Sequence, residues 1–94
     1  MQEDIKDLKN MIADGAIVVD VHTPAEYAEE HMDGSLNIPL ADINNYMSEL
    51  KKDKPIIFCC ASGERSEIAK KILQANEFEK VYNGGSCSDL KDVL

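Results

Sequence analysis

Basic residues are scarce in this sequence. Ten lysines and arginines stand against eighteen aspartates and glutamates, for a net charge of −8. Long-range forces from such a surface oppose nucleic acid and anionic membranes, so neither is expected as a partner. The same field slows the approach of a small dianion, but charges beyond about 8 to 10 Å are screened at physiological salt, and a local positive nest outweighs them. Long apolar runs are missing too. The longest, residues 16–19 and 55–61, fall far short of a membrane span, which takes ~20 residues.

Cysteine is sparse and odd in number. Cys59, Cys60 and Cys87 make no even framework, and two of them are adjacent, a spacing at which a disulfide is badly strained, so a reducing compartment fits. His22, His31 and the cysteines lack the paired spacings of a zinc site, so no metal and no other cofactor is expected. The first nine residues are polar and acidic, without the basic start and apolar stretch of a secretion signal. A cytoplasmic protein is the default, although a leader trimmed beforehand would leave no trace. Hydrophobic residues at 44%, charged residues at 30%, 5 glycines and 3 prolines exclude the disordered and fibrous classes. The 94 residues form one domain, 1–94, which buries roughly 60 to 70% of its unfolded surface.

What is present alternates between two periods. Ile5, Leu8, Met11 and Ile12 recur at helical spacing before Gly15, which predicts an amphipathic helix over 4–14. Residues 16–21 form a β-branched run suited to a strand covered on both faces. Thr23-Pro24-Ala25-Glu26 has the form of a capping box with proline at the first helical position, so a helix starts there and runs toward Glu30. Asp33-Gly34 marks a turn, and residues 36–38 a short strand. Residues 41–50 carry a helical pattern, 51–54 a charged turn and 56–59 a strand. Ile68, Ala69, Ile72 and Leu73 stripe a helix ending near Asn76. Val81-Tyr82 reads as a last strand, Asn83-Gly84-Gly85 as a turn, and 86–94 as a closing helix capped by Ser86 or Ser88. Strands alternating with helices predict an α/β fold: a small parallel sheet flanked by helices on both faces, with ligands at the carboxyl ends of the strands.

Cys60 falls at that edge. It opens the segment Cys60-Ala61-Ser62-Gly63-Glu64-Arg65-Ser66, between a buried strand and a helix start. Thiolate is the reactive form of cysteine, and backbone N–H groups of a tight loop and a first helical turn converge to stabilise an anion. Gly63 opens backbone angles closed to other residues, Arg65 adds a charge able to grip an oxyanion, and Ser66 supplies a helix-start hydroxyl. A lowered thiol pKa follows. Cys59, by contrast, reads as an inert buried cysteine at a strand end.

Over essentially the whole chain these motifs resemble the rhodanese-like sulfurtransferase family. The resemblance rests on Asp20-Val21-His22, Glu26-Tyr27, His31-Met32-Asp33-Gly34-Ser35, Asn37-Ile38-Pro39, the Cys60 to Ser66 loop, and Val81-Tyr82-Asn83-Gly84-Gly85. It implies a rhodanese-like fold and covalent catalysis. The Cys60 thiolate takes the outer sulfur of a small donor, thiosulfate or a persulfide, and passes it to a thiol or cyanide acceptor. Ala61, Ser62, Gly63, Glu64, Arg65 and Ser66 would hold the substrate, with Arg65 shaping the loop and attracting the leaving anion. Departures from the family pattern are His22, where arginine is frequent, and Ser86-Cys87-Ser88-Asp89, where an aromatic is frequent. Glu64 places a carboxylate in the loop, which disfavours a dianionic donor and raises the thiol pKa. His31 fits a structural hydrogen-bond network better than a general base, and Asp20 and Glu26 structural roles. Cys87 fits a buried replacement for the aromatic better than a partner resolving an oxidised Cys60.

Two other functions compete. Counted from Cys59, the loop reads cysteine, five residues, arginine, the length used by phosphatases and arsenate reductases on a related fold. Alternatively, a non-catalytic interaction or sulfur-carrier module would be loaded by a protein sulfur donor, which an acidic surface and a short chain suit.

Overall fold

The computed structural model describes residues 5–50 and 52–92. Four strands, β1 (Ile17–Asp20), β2 (Leu36–Asn37), β3 (Ile56–Cys60) and β4 (Val81–Ser86), form one parallel sheet in the order β2-β1-β3-β4. Helices α1 (Ile5–Ala13), α2 (Pro24–Glu29), α3 (Ile43–Tyr46), α4 (Glu64–Ala75) and α5 (Cys87–Asp92) connect and cover it.

β3 lies inside the sheet, and all five of its residues are buried. Its side chains alternate between two cores, as the pleat requires. Ile56, Phe58 and Cys60 join Ala69 and Leu73 of α4 and Ile43 of α3 on one face. Ile57 and Cys59 join Leu8 of α1 and Cys87 and Leu90 of α5 on the other. Two covered faces explain why the strand is a continuous apolar run rather than an alternating one.

Local chemistry sets the helix starts. Thr23 closes the expected capping box: its backbone N–H donates to Glu26 Oε1 at 2.9 Å, and its hydroxyl accepts from the Glu26 N–H at 3.3 Å. Ser86 caps α5, accepting from the Asp89 N–H at 3.2 Å. Gly63, with φ of 94°, sits immediately before α4 in a left-handed conformation that strains a residue with a side chain.

Several elements differ from the sequence expectation. The pattern over 41–50 resolves into two 3₁₀ turns, Leu40–Asp42 and Met47–Glu49, around the single turn of α3. Ile68 leaves the apolar stripe of α4 and is half exposed, while Ala69 and Leu73 are fully buried. Asn83-Gly84-Gly85 is not a turn but the middle of β4. A Cβ on Gly84 would stand 2.8 Å from Ile57 Cγ2 and 3.1 Å from the Phe58 carbonyl oxygen, so glycine serves close strand packing there. Residue 4 of the expected first helix, residue 51 of the charged turn and residues 93–94 of the closing helix lie outside the described residues.

The largest correction concerns sulfur. An odd cysteine count predicts no bridge, yet Cys59 and Cys87 form a disulfide across 28 residues, leaving Cys60 free. Adjacency in sequence concealed this, because Cys59 and Cys60 point to opposite faces of β3 and only Cys59 faces α5. The cysteine argument for a reducing compartment loses its premise. Among the described residues no helix is long and apolar enough to cross a membrane.

Candidate active site

Cys60 ends β3, and the loop that follows turns its backbone back over the sulfur. The Gly63 N–H donates to Cys60 Sγ at 3.0 Å. Burial pushes the thiol pKa up, but the Ser66 hydroxyl and the N–H groups of Ser66, Ser62 and Gly63 together outweigh it, so the pKa lies below the ordinary value of 9.0. Ser66 is not the helix cap that its position suggests. It is fully buried in the first turn of α4, and its hydroxyl meets no acceptor in strict hydrogen-bond geometry, leaving its dipole to act on the adjacent sulfur. A hydroxyl rotor of this kind turns readily toward a thiolate.

Asn83, in the middle of β4, fixes the loop from beneath. Its side-chain amide donates to the Gly63 carbonyl at 3.0 Å and to Glu67 Oε1 at 3.1 Å, and its oxygen accepts from the Gly85 N–H at 2.8 Å. The sequence carries it within the closing block, but with a turn expected there nothing marked it as a loop support.

Cys60 and Ala61 open onto a cavity of about 290 Å³, whose walls include Glu29, Glu30, His31, Ser88 and Lys91. Four further loop residues line other grooves. Ser62, Gly63 and Glu64 line a separate groove with Glu67 and Lys71. Arg65 lines a third with Thr23 and Pro39. The carboxylates that line the cavity with the cysteine are therefore Glu26, Glu29 and Glu30, of α2 and its C-terminal cap, rather than Glu64. Sequence order gave no sign of this, since α2 reaches the sheet edge only through the tertiary fold.

Arg65 reaches to α2, donating from Nη1 to Glu26 Oε1 at 2.8 Å and from Nη2 to Glu26 Oε2 at 3.3 Å. That pairing, with the Thr23 N–H, holds the Glu26 carboxyl at about 2. Glu26 thus has two partners, the Thr23 cap of its own helix and Arg65 in the first turn of α4.

Asp20, completely buried at the end of β1, accepts from the His22 N–H at 2.9 Å through Oδ1, and His22 Nδ1 lies 2.7 Å from the same oxygen. Its other oxygen, Oδ2, has no hydrogen-bond partner. Where arginine is frequent, His22 thus stays beside its own strand. His31 Nδ1 lies 2.9 Å from the Tyr27 carbonyl oxygen, and its ring stacks on Tyr27 with centroids 4.1 Å apart, which orients it structurally. Cys59, at 0% exposure and disulfide-bonded, presents no free sulfur.

The sequence model described as the Rhodanese-like domain matches residues 4–86. Thiosulfate sulfurtransferase PspE of Escherichia coli (strain K12) is 32% identical over 74 residues, 77% of this chain and 71% of PspE. A candidate sulfur carrier, YrkF of Bacillus subtilis (strain 168), is 35% identical over 66 residues, which are 70% of this chain but 36% of YrkF. The chain therefore spans about a third of that relative. A solved rhodanese with anions from E. coli superposes with a TM-score of 0.74 at 30% identity, covering 80% of this chain and 91% of its own.

Proposed function

This chain belongs to the rhodanese-like domain family, and we propose that it moves sulfane sulfur from a small donor to a thiophilic acceptor through a persulfide on Cys60. The observation that carries this reading is the Cys60 sulfur held 3.0 Å from the Gly63 N–H, in a loop whose donors favour the thiolate, at the floor of an open cavity.

With thiosulfate as donor, the Cys60 thiolate attacks the outer sulfur. A Cys60 Sγ–S bond forms, the S–S bond of thiosulfate breaks, and sulfite leaves with the electron pair. The loop N–H groups that met the thiolate then face the persulfide anion, so the charge stays within one cradle of preorganised donors. A thiol or cyanide acceptor attacks the outer sulfur, and the Cys60 thiolate returns. Two displacements replace one difficult transfer. PspE, named a thiosulfate sulfurtransferase, supports this reading.

A partner-loaded carrier is the second reading, and one observation favours it. Glu29 and Glu30 line the cavity, whereas Arg65, the loop's own cation, is engaged by Glu26. A doubly charged donor meets these carboxylates on entry, with Lys91 as a cation in the same wall, whereas a persulfide delivered by a protein brings at most one negative charge. YrkF, named for a carrier role, is consistent with it. A phosphatase built on Cys59 has no such support, because that sulfur is bridged and buried.

Mass spectrometry of the protein after incubation with thiosulfate tests the proposal. A gain of one sulfur, localised to Cys60 and lost in Cys60→Ser, is the expected result. Loading by a cysteine desulfurase but not by thiosulfate would move the assignment to the carrier. Sulfur transfer undiminished in Cys60→Ser would sink both.

A further inference from the structure

Beside Cys60 lies a second sulfur centre that the transfer reaction does not use. Cys87 lines the same cavity as Cys60 and is bridged to Cys59, the residue preceding Cys60. Across the β3–β4 ladder Cys60 pairs with Ser86, and Cys87 follows at the start of α5; the two cysteines belong to opposite faces of the sheet and come together at its carboxyl end, where both line the cavity. The third member is Asp20, whose carboxylate lies within 4.8 Å of both bridged sulfurs and whose buried Oδ2 has no hydrogen-bond partner. Burying a carboxylate oxygen unpaired is costly, and an open bridge places two thiols beside it.

We infer that Cys59 and Cys87, as a reduced dithiol, discharge the Cys60 persulfide internally and release hydrogen sulfide, ending in the disulfide that the structure contains. This rests on the persulfide reading of Cys60. In the first step the Cys87 sulfur attacks the outer sulfur of Cys60–S–SH; a bond forms between them, the Cys60 S–S bond breaks, and the Cys87 proton passes to the Cys60 sulfur. In the second, Cys59 gives its proton to Asp20 Oδ2 and attacks the inner sulfur of the Cys87 persulfide. The Cys59–Cys87 bond forms, and HS⁻ departs with the electron pair and takes the proton back from Asp20. Three protein thiol or persulfide hydrogens enter; one remains on Cys60 and two leave in hydrogen sulfide. The two thiols are oxidised to one disulfide, and the sulfane sulfur is reduced to sulfide.

A dithiol reductant returns the bridge to its starting state. Attack falls on Cys87, which borders the cavity, with Cys59 as the leaving thiol, since Cys59 is wholly enclosed. Thiol–disulfide exchange depends on which sulfur is accessible, so this order follows from burial. The chain would then act as a persulfide reductase whenever its bridge is open, and would hold its sulfur for an external acceptor when the bridge is closed.

The test compares two forms of the same wild-type protein. One is reduced with a dithiol and freed of reductant without oxygen; the other keeps its disulfide. Each receives one equivalent of thiosulfate or, in a parallel sample, inorganic polysulfide, and sulfide, Cys60 persulfide and the Cys59–Cys87 bridge are measured together. The reduced form should release one sulfide per chain beyond that of the bridged form as its bridge closes, while the bridged form and a reduced Cys87→Ser protein should retain the sulfur on Cys60. Persulfide that persists on Cys60 in the reduced form, with Cys59 and Cys87 still thiols, overturns the relay and leaves the sulfurtransferase reading standing. Equal sulfide release from reduced wild type and Cys87→Ser also overturns it. If the bridged form takes no sulfur on Cys60 from either donor or from a cysteine desulfurase, the function proposed above fails and the relay falls with it.

Discussion

The side-chain amide of Asn83 donates to the carbonyl of Gly63, twenty residues earlier, at 3.0 Å. One side chain of the last strand thereby holds the residue whose N–H meets the candidate nucleophile.

Replacing Asn83 with alanine should loosen that loop. The Gly63 carbonyl keeps the Glu67 N–H, but the Gly85 N–H loses its side-chain acceptor inside the protein. An unsatisfied buried donor costs about 1 to 3 kcal/mol. Urea denaturation of Asn83→Ala should show a loss of that size, with slower Cys60 alkylation at neutral pH. Unchanged alkylation would mean that the loop keeps its shape without Asn83.

Cys60 reactivity should depend on pH with a midpoint below 9.0, because the loop donors outweigh burial and favour the thiolate. A lowered pKa moves the rise of the alkylation rate to lower pH. Ser66→Ala removes one donor and should shift the midpoint upward. Alkylation with iodoacetamide across the pH range reads both. A midpoint that does not move in Ser66→Ala would remove the hydroxyl from the account.

Glu26 and Arg65 should behave as one tether. The Glu26 pKa is lowered in the folded state, from 4.5 to about 2, so its contribution to stability is complete above pH 4.5 and is lost as pH falls toward 2. The pair is exposed to solvent and therefore screened, which keeps the effect small. Arg65→Ala and Glu26→Gln should alter sulfur transfer to a similar degree, and the double variant little further. A loss with Arg65→Ala far exceeding that with Glu26→Gln would instead give the guanidinium a direct role toward the leaving anion.

The sheet, its parallel sense and the loop carrying Cys60 were legible because each rests on local signals. These are a β-branched run, a capping box at Thr23, and a glycine before a helix. What was not legible depends on alternation and on distant pairing. Cys59 looked inert beside Cys60, but the pleat sends neighbouring side chains to opposite faces, and one of those faces brings it to Cys87. Glu64 belongs to the loop in sequence, yet Glu26, Glu29 and Glu30 are the carboxylates that line the cavity. Gly84 and Gly85 carried the composition of a turn, whereas Gly84 is small because Ile57 and the Phe58 carbonyl crowd it from the next strand.

The Cys59–Cys87 bridge encloses the active loop, α4 and β4 within one covalent ring. Closing a ring of that size restricts the unfolded chain by about 3 to 4 kcal/mol in the chain-entropy picture. A protease cut anywhere between the two cysteines would leave the fragments joined until a reductant arrived. Cys60 therefore sits at the edge of a closed circuit, and any loosening of the sheet beyond β3 stays tethered beside it.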